Sequence, residues 1–251
     1  MDIKILIALH KPYWAEKNKA YLPINVGKKG KPYIGFIGDD TGDNISEKNP
    51  NYCELTALYW AWKNVKANYI GLVHYRRYFT YKDGGSENEK KRYILKYEDW
   101  LKIVEKYDII VPKRRKYYIE TNYSHYMHAH NKNDLDMTRI IIEELCPEYM
   151  KSFEKVMNRT SAHMFNMFVM KKDKFHLYCK WLFPILFELE NRIDISKYDK
   201  TEARVFGYIS ELLLDVWLYK WDFLYKEVNV TFMEKQDWLK KGFCFLKRKF
   251  L

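Results

Sequence analysis

The sequence has only four cysteines, Cys53, Cys146, Cys179 and Cys244, and none forms a CxxC pair with another. Such wide spacing argues against a zinc site or a disulfide framework and fits a reducing cytoplasm. No apolar run approaches the roughly 20 residues that a membrane-spanning helix needs, so the chain is expected to be soluble or peripheral. Residues 1–10 hold a short apolar run behind an acidic second residue, which reads as the first strand of a fold and not as a signal peptide. Helix-turn-helix, zinc-finger and RNA-recognition signatures are missing too, and the cations are scattered, which argues against nucleic acid as the partner.

What is present is a large apolar and aromatic content: 47% of the 251 residues are hydrophobic and 18% aromatic, with 22 tyrosines. A chain of this length buries a sizeable core, as one α/β domain or a core with a helical addition. Tyrosine in this amount suits surfaces that stack on flat or sugar-like ligands, and it also simply packs well. The formal charge of +11 calls for an anionic partner: nucleic acid, acidic lipid or a phosphorylated substrate.

Along the chain, residues 3–9 read as a central strand ending in His10 and Lys11, and residues 28–32 as a basic turn. Residues 33–37 suggest a short strand. Residues 38–50 are polar and glycine-rich, hence a loop. Asn49-Pro50 has the form of a helix start, with a helix expected to about residue 64 and Leu55, Leu58, Tyr59 and Trp62 as its buried stripe. Glu54 in its first turn either complements the helix dipole or faces a cleft shared with His74. Residues 69–79, YIGLVHYRRYF, begin as a buried strand and end in His74, Tyr75, Arg76 and Arg77. A strand that delivers polar residues at its C-terminal end is how open α/β sheets build ligand sites, and paired guanidinium groups suit phosphate oxygens.

Residues 80–91 look like a charged loop, 97–107 a helix and 108–112 a second buried strand, followed by the solvated basic cluster 113–116. His125, His128 and His130 lie close together, yet no HExxH pattern accompanies them, so structural or substrate-contacting histidines are expected instead of zinc ligands. Helices are expected at 135–145 and 148–157, then a strand at 161–170 in which a buried Asn166 must find partners, a ligand hydroxyl or the backbone. Two long helices follow, 173–192 and 202–220. The second carries a polar stripe of Arg204, Tyr208, Glu211 and Asp215. Residues 238–251 interleave cations with large apolar residues, the composition of a segment drawn to anionic lipid headgroups.

The stretches GDDTGDNISEKNPNYCELTALYWAWKN (38–64), YIGLVHYRRYF (69–79), HNKNDL (130–135), FNMFVMKK (165–172), YCKWLFPILFELE (178–190) and ARVFGYISELLLDVWL (203–218) resemble a bacterial family from capsular and exopolysaccharide gene clusters. It was long labelled a domain of unknown function, and its members are associated with galactofuranosyl or related sugar transfer. The resemblance implies an α/β, GT-A-like glycosyltransferase over residues 1–237, with a central mixed, mainly parallel sheet flanked by helices and a helical C-terminal part; the tail 238–251 is set apart by its composition as a membrane-surface contact. It implies a UDP-sugar donor and a lipid-linked saccharide acceptor at the inner face of the cytoplasmic membrane. Where such folds carry an Asp-x-Asp metal motif, this chain has His74-Tyr75-Arg76-Arg77. Two readings follow. Either the arginines replace the metal as counter-charge for the donor diphosphate, or a divalent metal (manganese or magnesium) is held by Asp39, Asp40 or Asp43, the first being favoured. Under the resemblance, His10, Lys11, Asp40, Asn44, His74, Tyr75, Arg76, Arg77, Asn166 and Arg204 are expected around the donor and His125 and His130 at the acceptor. Glu211 is expected as the base, with Asp134 and Glu54 as rivals. A non-catalytic polysaccharide-binding or scaffold protein is the competing class, ahead of a nucleic-acid-binding protein.

Overall fold

Strand β1 (Ile3–Leu9) is buried at six of its seven positions and is flanked on both sides by parallel partners, β2 (Tyr21–Asn25) and β4 (Tyr69–His74). A strand covered on both faces has no use for polar side chains, which explains its continuous apolar run. The computed structural model describes residues 1–234. Its remaining strands are β3 (Ile37–Gly38), β5 (Arg77–Thr80), β6 (Ile109–Pro112), β7 (Arg115–Lys116), β8 (Ser161–Ala162), β9 (Phe168–Lys171) and β10 (Lys226–Phe232). The helices are α1 (Asn49–Tyr52), α2 (Leu55–Asn64), α3 (Glu87–Tyr93), α4 (Tyr97–Val104), α5 (Asn122–Ala129), α6 (Lys132–Leu145), α7 (Met150–Met157), α8 (Lys172–Arg192) and α9 (Val205–Trp221).

The large sheet is mixed. Its strands run β3-β2-β1-β4-β9-β6-β10-β5, and β5 returns to β4 through the single pair His74–Arg77. Antiparallel β9 lies between β4 and β6, while β10 continues parallel to β6. Gly71 permits the close approach of β4 and β9: a Cβ there would sit 2.7 Å from the Phe168 carbonyl oxygen. The two faces of the sheet are covered by separate apolar clusters. One is built with α2, α6, α7, α8 and α9, the other with α4, Trp100 and Tyr78. Among the described residues no helix is long and apolar enough to cross a membrane.

Several local expectations need correcting. The helix expected through residue 64 breaks at Cys53, whose φ of 52° ends α1 before α2 begins. Residues 33–37 contribute only Ile37 to a strand, and the charged loop at 80–91 contains α3, held by a reciprocal Ser86–Glu89 capping box although none of its residues is buried. The strand expected at 161–170 is two strands separated by a turn in which Phe165 (φ 78°) and Asn166 (φ 51°) are both left-handed. Leu177, expected inward on α8, is exposed. Residues 238–251 lie outside the described residues.

Candidate active site

The C-terminal ends of β1 and β4 lie side by side, with Ala8 opposite His74, so the polar residues after each strand share one end of the sheet. His10 packs edge-on against Tyr75 at 5.3 Å, and Lys11 Nζ stands 5.5 Å from the same ring. Partial burial, then the charges of Arg76, Lys11, Arg204 and Lys31, lower the His10 pKa, so four cations converge on this corner. Arg76 lies 5.1 Å from the Tyr75 ring and donates to Glu234 at 3.1 Å. Arg77 is more enclosed, its guanidinium 4.4 Å from the Phe165 ring, and its buried Nε has no hydrogen-bond partner among the described residues.

The left-handed turn between β8 and β9 supplies the floor of the site. His74 donates from Nε2 to the Phe165 carbonyl at 2.6 Å; a carbonyl only accepts, so this nitrogen carries the proton. Burial lowers the His74 pKa despite nearby Glu54, leaving a neutral imidazole. Asn166 donates to Glu54 Oε1 at 2.7 Å and to the Gly207 carbonyl at 3.0 Å, while Ser210 Oγ donates to Asn166 Oδ1 at 2.8 Å. Of the two readings of Glu54, the structure brings it beside His74, with their polar atoms 3.9 Å apart. Asn166 spends its amide on holding the chain together, so its partners are a carboxylate, a carbonyl and a hydroxyl of the protein itself.

Glu211, one position beyond Ser210 on α9, joins this group from above. Burial and the nearby Glu54 charge push its pKa up to about 7, against the pull of the Phe165 backbone N–H and the Arg77 and Arg204 charges. Arg204 donates to Cys53 Sγ at 3.1 Å, and burial pushes the Cys53 thiol up to about 12, so it stays protonated at neutral pH. Gly207 allows this packing, since a Cβ there would meet Cys53 Sγ at 3.3 Å. Sequence reasoning overlooked Cys53 and Ser210. Ser210 stands out only as a hydroxyl beside the buried Ile209, Leu212 and Leu213.

Other expected site residues fall elsewhere. Asp134 belongs to a separate group: it is buried, accepts from Tyr198 OH at 2.7 Å, and has its pKa raised first by that burial. Asn44 serves its own loop, with Oδ1 accepting from Ser46 N at 3.1 Å. Asp40 stands 3.9 Å from Lys28 Nζ, and Asp43 accepts from Tyr59 OH at 3.2 Å and faces Lys63. Asp39 is wholly buried and accepts from Gly27 N, Lys28 N, Ser46 Oγ and Thr56 Oγ1. The three loop carboxylates thus point to different partners, and no group of three or more His, Cys, Asp or Glu among the described residues is arranged to hold a metal ion. His125 and His128 both bond buried Glu120, at 3.0 and 2.6 Å, and His130 stacks on Tyr208 at 4.1 Å. His125 and His130 share a cavity with Glu211.

A solved structure titled the apo structure of WbbM, a bifunctional glycosyltransferase, is similar over 94% of this chain, with 35% identity and a TM-score of 0.86. The match takes in 46% of that protein, so the chain spans about half its length. No curated protein matches the chain. The family model described as a domain of unknown function, DUF4422, matches residues 4–222, from β1 through the end of α9. With all of the large sheet but β10 and nearly all of the site inside that match, the chain belongs to the DUF4422 family.

Proposed function

We propose that the chain is a GT-A-like glycosyltransferase. It moves a sugar, galactofuranose or galactose, from a UDP-sugar to a lipid-linked oligosaccharide, with inversion, in capsular, exopolysaccharide or O-antigen synthesis. The observation that carries the reading is Glu211: a carboxylate with a pKa near 7, flanked by two guanidinium groups and opening onto a cavity lined by aromatic rings. A general base works best when its pKa lies close to the working pH, because it is then both deprotonated and basic enough to take a proton. Similarity to half of a protein titled a bifunctional glycosyltransferase supports the reaction class.

In the reaction the bond from the donor's anomeric carbon to the diphosphate oxygen breaks and the acceptor hydroxyl forms the new bond. Glu211 takes the hydroxyl proton. The cations at the ends of β1 and β4, Arg76 with Lys11 and Arg77, stabilise the negative charge that builds on the departing UDP. The buried Nε of Arg77, without a hydrogen-bond partner among the described residues, supports a role as an anion ligand. His74, Asn166 and Glu54 hold the turn on which Glu211 leans, while His10 and Tyr75 flank the nucleotide. Asp40 and Asn44 stand on the loop assigned to donor hydroxyls. The net charge of +11, together with the cation-rich tail, supports contact with an anionic membrane face.

A thermal-shift panel of nucleotide sugars, run with manganese and with a chelator, tests the reading. The expected outcome is stabilisation by a UDP-sugar that survives the chelator, followed by UDP release once a saccharide acceptor is added. Absence of stabilisation by every nucleotide sugar would remove the transferase assignment.

A further inference from the structure

The basic stretch after β6 is used neither by the core nor by the site. Lys113, Arg115 and Lys116 are exposed, whereas Arg114 between them turns toward Glu227 at 3.8 Å and donates to the Tyr225 hydroxyl. None of the three exposed cations has an ion-pair partner among the described residues. Directly after them, Tyr118 is 81% exposed and Ile119 is 54% exposed. Tyr118 has a φ of 61°, a left-handed conformation that disfavours any residue with a Cβ. The turn is held all the same. Strand β7 pairs with β8 just before it, Tyr117 N donates to the Thr160 carbonyl at 2.7 Å, and Ile119 N donates to the Tyr117 carbonyl at 2.7 Å. A strained residue whose ring is kept in solvent by an anchored turn points to a use outside the chain.

Strand topology fixes where this turn stands. Strand β9 is antiparallel to both β4 and β6, so β6 points the same way as β4. Residues 113–119 therefore leave the sheet at the end that carries His10, His74 and Arg76. Residues 113–119 contain no acid, and the next residue, Glu120, faces inward, 3% exposed and bonded by His125 and His128. The outward surface is thus three cations, a tyrosine and an isoleucine. Lipid phosphates attract such cations while the tyrosine and isoleucine enter the interface beneath them; a soluble polyanion would use the charges alone. We infer that residues 113–119 are a docking loop for an anionic lipid surface, separate from the tail 238–251. The assignment rests on the membrane contact in the functional reading and names the surface that makes it. It turns the end of the sheet that bears the site toward the bilayer.

The test is co-sedimentation of the full chain with vesicles of phosphatidylcholine, alone or mixed with phosphatidylglycerol, at low and high salt. The wild-type protein is expected to bind the anionic vesicles and not the neutral ones. Lys113→Gln, Arg115→Gln and Lys116→Gln should each weaken binding about fivefold at low salt, the contribution of one cation near an anionic leaflet. Tyr118→Ser should weaken it by a factor that salt does not change, because burial of a ring is not screened. All four side chains are exposed, so melting temperature and UDP affinity should stay at wild-type values. Variants that bind anionic vesicles as tightly as the wild type overturn the docking loop; release by deletion of residues 238–251 alone would then give the contact to the tail. Failure of the wild type to bind anionic vesicles overturns the loop and the membrane contact together, and leaves the transferase reading to the nucleotide-sugar panel. Equal affinity for a DNA duplex, unaffected by Tyr118→Ser, would make the loop a general polyanion surface and overturn the lipid assignment.

Discussion

Two carboxylates, 172 positions apart in the sequence, show how differently the same group can be used. Asp39 sits in GDDTGDN, the stretch that looks most like a metal or substrate loop. Glu211 sits in the polar stripe of α9 with Arg204, Tyr208 and Asp215. The structure gives the two carboxylates different uses. Asp39 has all its acceptor capacity met by two backbone N–H groups and two hydroxyls, and it ties the loop to β2 and α2. Glu211 has a neighbouring carboxylate, little water and a pKa pushed up to about 7. A satisfied charge builds structure, whereas a charge kept short of solvation is available for proton transfer.

This contrast can be broken by exchanging the two effects. Glu211→Gln should lower sugar transfer by about 10²–10⁴-fold, the usual contribution of a general base, while UDP affinity measured by calorimetry stays within about twofold. Retained transfer would take Glu211 out of the role. Asp39→Ala should act on stability: orphaning four donors at a buried site costs about 3 kcal/mol, read from the denaturant midpoint, with near-normal turnover per folded molecule. If turnover collapsed while the midpoint held, the two carboxylates would have to trade places.

Arg76→Ala sharpens the comparison from the cation side. It should weaken donor binding about tenfold or more without changing the acceptor KM, since a charged hydrogen bond is lost. The smallest expected effect is in the pH profiles. Activity should rise with pH to a plateau above about 7, as Glu211 loses its proton. Stability should move the other way. With its folded pKa raised, the native state binds more protons than the unfolded chain between the ordinary glutamate value and about 7, so this group's contribution falls as pH rises through that window. Glu211→Gln should flatten both curves and raise the melting temperature at pH 8.

The sequence made some of this legible and hid the rest for identifiable reasons. Strands β1, β4 and β6 are apolar runs, and α9 shows its buried positions Val205, Ile209, Leu212, Leu213, Val216 and Trp217 at helical spacing. Each is decided by local burial. Strand β10 is not legible: its Lys226–Phe232 segment alternates only partly, and its place beside β6 and β5 depends on residues more than a hundred positions away. Strand β2 carries Pro23, which weakens its pattern, and α3 has no buried face at all. The family resemblance and the grouping of His74, Arg77, Asn166 and Glu211 were both reachable from sequence. The membership of the cavity beside Glu211 was not, because Tyr117 after β7, Tyr126 on α5 and Tyr208 on α9 meet there from distant stretches of the chain.

The backbone of Phe165 touches both titratable partners of the site: its N–H donates to Glu211 and its carbonyl accepts from His74. The amide nitrogen and carbonyl carbon of this single residue therefore act as a pair of spectroscopic reporters. With selective isotope labelling, the Phe165 amide proton resonance should shift with pH as Glu211 titrates, while the carbonyl carbon follows any change at His74. One labelled phenylalanine would read the protonation state of the proposed base in the resting protein, before a substrate is in hand.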